Sequence, residues 1–152
     1  MENAMSVEQL NPPSFAEAYR GMFHGVLRWP QLDELWDVLR KDADSDWYLY
    51  AVGTPPPTET VAADKLIEFI AEIDVLLRRE HGEDYCGVVY TDSFDRPSFV
   101  KIFDPNNLGV SCGFSDNPPP PGWILSKLAP TDIKAPTQPG NRRRWWQRLF
   151  GT

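Results

Sequence analysis

Between Glu59 and Glu80 the apolar residues Leu66, Phe69, Ile70, Ile73, Leu76 and Leu77 recur at three- and four-residue spacing, with charged residues between them. That spacing puts the six on one side of a helix, so about Glu59 to Glu80 is predicted to be an amphipathic helix that needs a second layer to cover its stripe. Thr58 or Thr60 can cap its start. Arg78 and Arg79 suit the negative end of its dipole, and Gly82 can terminate it. The period then changes to two. Cys86–Thr91 and Ser98–Phe103 have the composition of strands, and the turn-forming stretch Asp92–Pro97 joins them as a hairpin. In the second strand Phe99, Lys101 and Phe103 point one way, and Val100 and Ile102 the other.

The remaining segments fit around that unit. Residues 1–13 read as a flexible arm ending in Asn11-Pro12-Pro13. Ser14 and Glu17 make a capping-box pattern, and Phe15, Tyr19, Met22, Phe23 and Val26 follow at helical spacing interrupted by Gly21 and Gly25. Trp29-Pro30 breaks that segment. A second helix is expected from about Gln31 to Lys41, with Leu32, Leu35, Trp36 and Leu39 on its stripe. Trp47–Val52 reads as a strand stopped by Gly53-Thr54-Pro55-Pro56-Pro57. Weaker strands are expected at Val110–Phe114 and Trp123–Leu128. The class is therefore α+β: a small, mostly antiparallel sheet covered by two or three helices, with a flexible C-terminal tail. A chain of 152 residues supports one core rather than two. The divisions are the arm, a single domain over 14–132, a proline-containing linker over 133–141 and a tail over 142–152.

Charge sets that tail apart. All 22 acidic residues precede Ile133, together with ten of the 15 basic ones, so the first part carries −12 and the last twenty residues +5. The tail combines Arg142, Arg143, Arg144 and Arg148 with Trp145, Trp146, Leu149 and Phe150. Disordered tails are usually poor in aromatic residues, and arginine beside tryptophan suits a protein groove or a membrane interface. These eight residues are the candidate binding residues. The function expected is that of a small accessory or adaptor protein recruited to a protein partner or an anionic membrane surface. Nucleic acid is disfavoured, because the acidic body repels phosphates.

Catalytic patterns are weaker. A small thiol-dependent or redox-responsive enzyme would use Cys86 or Cys112 with His81, which lies close to Cys86 in sequence at a helix-to-strand junction. A metal site would have to draw on every His and Cys in the chain, and the spacings match no zinc module. The Asx-rich loops at Asp92–Asp95 and Asp104–Asn107 read as turn chemistry rather than cation loops. The run Pro118–Pro121 before Trp123 reads as an ordered loop. No cofactor is called for. The N-terminus has neither a basic nor an apolar signal region, and no apolar run reaches the ~18 residues of a membrane span, so a cytoplasmic location without a transmembrane segment is expected.

Overall fold

The computed structural model describes residues 13–106 and 119–151. Its elements are α1 (Phe15–Tyr19), β1 (His24–Gly25), α2 (Trp29–Lys41), β2 (Tyr48–Ala51), α3 (Ala63–Glu80), β3 (Val89–Thr91), β4 (Phe99–Ile102), β5 (Trp123–Ser126) and α4 (Gly140–Phe150). The strands form one antiparallel sheet in the order β1-β3-β4-β5-β2. This is the α+β class read from the sequence. The strand expected at Val110–Phe114 lies outside the described residues, as do Cys112 and most of the N-terminal arm.

The sheet's register divides the core in two. Leu49 pairs with Leu125, which pairs in turn with Val100. With Ala51, Val89, Ile102 and Trp123 they form the face against which α2, α3 and α4 pack. One residue out of phase, Phe99, Tyr50 and Ile124 face the opposite side, where Phe15 of α1 joins them. Within β4 the predicted alternation forms, while Phe103, just past the strand's end, packs on the cluster of Val100 and Ile102 and not with Phe99. On α3 all six stripe residues are buried. At ~1.5–3 kcal/mol for each fully buried large side chain, this stripe makes a leading contribution to the fold.

Local departures have identifiable causes. α1 ends at Tyr19 rather than running to Val26, because His24 and Gly25 pair with Thr91 and Tyr90 as an edge strand. Its capping box does form: Ser14 Oγ accepts from the Glu17 amide, and the Glu17 carboxylate accepts from the Ser14 amide. Trp29-Pro30 opens α2 rather than merely breaking what precedes it, since a proline in the first helical turn lacks only an N–H that has no helical partner there. α3 starts at Ala63 without a side-chain cap; the stretch before it is tied to Trp47, the residue preceding β2, whose carbonyl accepts from the Val61 amide at 2.8 Å.

The expected linker and free tail need correction. The linker runs over the second face of the sheet, where Ile133 and Ala135 pack on the Phe15–Tyr50–Phe99 cluster. The Ile133 amide donates to the Tyr50 hydroxyl at 3.1 Å, and the Gln138 side chain donates to the Gly122 carbonyl at 2.8 Å. Gly53, at φ +99°, leaves room for it, since a Cβ there would sit 2.6 Å from the Pro136 carbonyl oxygen. The tail is the helix α4, whose Arg142, Trp145 and Leu149 are buried.

Candidate docking surface

Residues three and four apart share one side of a helix, so α4 sorts its own side chains. Arg142, Trp145 and Leu149 turn inward, Trp146 and Phe150 form a half-buried border, and Arg143, Arg144 and Arg148 are exposed. Pro139 precedes the helix in extended conformation and its carbonyl accepts from the amides of Arg142 and Arg143. Gly151, at φ +73°, ends the helix with its amide donating a hydrogen bond to the Gln147 carbonyl. Lys65 on α3 donates to the Leu149 carbonyl at 3.2 Å, placing a cation at the negative end of the α4 dipole.

Two anchors hold α4 down. Trp145 meets Phe69 and Trp123 edge-on, at 6.1 and 5.5 Å between ring centroids. Arg142, only 2% exposed, is clamped between two carboxylates. Its Nε and Nη2 donate to the Asp104 oxygens at 2.8 and 2.9 Å, and its Nη2 and Nη1 donate to Glu80 at 2.7 and 3.2 Å. Asp104 is itself buried and also accepts from the Asn106 amide at 2.9 Å. Hydrogen bonding from Arg142 holds the Glu80 carboxyl below its ordinary value. The two carboxylates, Asp104 first, push the guanidinium pKa further up. Arg142 therefore joins the end of α3, the turn after β4 and the C-terminal helix.

The structure thus splits the eight residues singled out from the sequence. Three serve the core. The other five reach the surface, Arg143 on the side of Trp146 and Phe150, and Arg144 and Arg148 on the other side of the helix. Among the described residues none of Arg143, Arg144 and Arg148 joins an ion pair. Arg143 donates to the Gln138 carbonyl at 2.7 Å. Trp146 and Phe150 lie 4.5 Å apart, with Trp146 edge-on to Phe69. Beside these two rings runs an open groove of about 450 Å³, closed on its far side by Pro57, Thr58, Glu59, Thr60 and Val61 and floored by Leu49. The sequence reading missed that far wall. Its composition, a proline run followed by polar residues, signals only a loop.

The thiol candidates have a different setting. Cys86 is fully buried, and desolvation raises its pKa, which disfavours the thiolate. His81 is 8% exposed, ends α3, and lies edge-on to Trp29 and Tyr85. Its Nε2 has no hydrogen-bond partner among the described residues, and no hydrogen bond there joins it to Cys86. Also among the described residues, no three or more His, Cys, Asp or Glu side chains converge as a metal site, and no helix is long and apolar enough to cross a membrane. No family model, curated protein or solved structure matches the chain.

Proposed function

We propose that this protein is a small cytoplasmic accessory or adaptor protein that docks through the outer face of α4 onto an acidic surface of a partner protein. The observation that carries the reading is the set of exposed arginines, Arg143, Arg144 and Arg148, on the same short helix as the half-buried Trp146 and Phe150, in a chain whose net charge is −7. With 22 carboxylates available, intramolecular neutralisation of these cations was open to the fold, yet among the described residues only Arg142 of this helix is ion-paired. Their exposure keeps them ready to steer an anionic partner, and the half-buried rings supply contact area that salt does not screen.

An anionic membrane is the weaker candidate for the same face. Three exposed arginines contribute roughly 3 kcal/mol at such a surface, less than the ~4.1 kcal/mol of millimolar binding. Trp145 and Leu149, which would otherwise insert, are committed to the core. The deciding experiment is quantitative affinity capture on the full chain. A triple variant, Arg143→Ala, Arg144→Ala and Arg148→Ala, should retain its melting behaviour and lose its partners, most strongly at low ionic strength. Equal capture by the variant and the wild type would end the docking reading.

A further inference from the structure

The sheet's two edges are finished differently. Beside β2 the outward backbone is covered from within the chain, where the Val61 amide donates to the Trp47 carbonyl at 2.8 Å and the Thr54 amide to the Ala51 carbonyl at 3.1 Å. β1 is the other edge. The Val26 amide donates to the Val89 carbonyl at 2.8 Å, so Val26 turns its backbone toward β3, and Gly25, one residue earlier, turns its own outward. Among the described residues no other segment bonds that outward N–H and C=O. Apolar side chains gather at the same edge. Of the six large ones exposed among the described residues, four lie here. Met22 and Leu27 flank β1, the Phe94 ring stands 6.0 Å from that of His24, and Tyr85 is bridged to Arg28. Soluble proteins blunt an open edge with charge or proline, so an apolar open edge marks an interface.

We propose that β1 is a self-association edge, at which two copies of this chain pair antiparallel about a two-fold axis at Gly25 and join their sheets into one. The edge is separate from the α4 docking face, which sits over β5 through Trp145 and Trp123. The Gly25 N–H and C=O of each copy exchange hydrogen bonds with those of the other. Leu27, whose amide and carbonyl are engaged by Gln31 and Cys86, adds no bond to this ladder. Its side chain instead lies opposite the other copy's Phe23, because residues 23, 25 and 27 alternate onto one side of the sheet. Charge selects a second copy over a foreign strand. At the leading end of the edge Asp95 and Arg96 offset one another and Arg20 leaves a positive charge, whereas at the trailing end Glu83 and Asp84 outweigh Arg28. All six are exposed, and none joins an ion pair among the described residues. Antiparallel order sets the positive end of each edge beside the negative end of the other.

The test is sedimentation velocity on the full chain from micromolar to millimolar concentration, with exchange of the Gly25 amide read alongside. We expect a concentration-dependent dimer in which that amide becomes protected. Leu27→Lys, at an exposed position, should weaken dimerisation by about tenfold with the melt unchanged. Arg20→Glu should weaken it by about threefold, and adding Asp84→Arg should restore it. The triple variant of Arg143, Arg144 and Arg148 should dimerise like the wild type, so the edge and the α4 docking role fail separately. A chain that stays monomeric throughout the range, a dimer indifferent to Leu27→Lys, a Gly25 amide no better protected in the dimer, or absence of rescue by Asp84→Arg would each overturn the edge pairing. Loss of the dimer in the triple variant would overturn it too, by moving the contact to α4.

Discussion

Arg142 shows how far a residue's role depends on partners distant in sequence. Within Arg142-Arg143-Arg144 the three side chains are indistinguishable by composition, yet one is buried and two are exposed. The difference comes from Glu80 and Asp104, which lie 62 and 38 positions away. Arg142→Ala would leave two carboxylates at a closed site without their cation, and we expect a loss of about 3–5 kcal/mol in denaturant unfolding. Arg143→Ala should change stability by no more than about 0.5 kcal/mol. The ion pair also sets a pH dependence. Because Arg142 depresses the Glu80 pKa below its ordinary 4.5, the stability gained from that carboxylate is fully present above this value. It is lost as the pH falls through the lower, folded-state value. Glu80→Gln should therefore be less stable than wild type at neutral pH, with the two unfolding curves converging as the medium becomes strongly acidic. A gap that stays constant on acidification would show that Glu80 is not the titrating partner.

Among the elements, the linker and α4 show what sequence patterning conveys and what it leaves out. Proline spacing marks residues 133–141 as non-helical and non-strand, which holds as far as Pro139, since α4 starts at Gly140, but it does not distinguish a free leash from a strap laid over a sheet. The distinguishing feature lies elsewhere, in Gly53, where positive φ and the 2.6 Å approach of the Pro136 carbonyl both exclude a side chain. Gly53→Ala should destabilise the fold by more than about 1 kcal/mol in chemical denaturation, since it must either strain β2's exit or lift the strap. A neutral Gly53→Ala would mean that the strap gives way easily. Strongly periodic segments were legible: the α3 stripe and the alternation in β4 each depend on residues within one element. α4 was not. Its arginine-rich sequence has a narrow apolar stripe, Trp145 and Leu149, whose burial follows from Phe69 and Trp123 supplied by other elements. The candidate site inherits the same limit. The sequence singled out the basic-aromatic segment but read it as a flexible tail, while the facing wall at Pro57–Val61 comes to it through the fold alone.

For the whole molecule, one helix performs two tasks. Its inner face closes the core between α3 and the sheet, and its outer face holds exposed cations on a chain whose net charge is −7. On the docking role proposed above, an element attached in this way would be pre-organised, so a partner would meet a helix already formed and lose less affinity to ordering than on a disordered tail. That division of labour requires α4 to be folded and seated before any partner arrives. Amide hydrogen exchange on the isolated full-length protein reads this directly. The amides of Trp145, Trp146 and Leu149 should be protected to a degree approaching those of Phe69 and Ile73 in α3. Exchange of those three amides at the rate of an unstructured peptide, alongside a protected α3, would contradict a seated C-terminal helix and return the basic-aromatic segment to the status of a free tail.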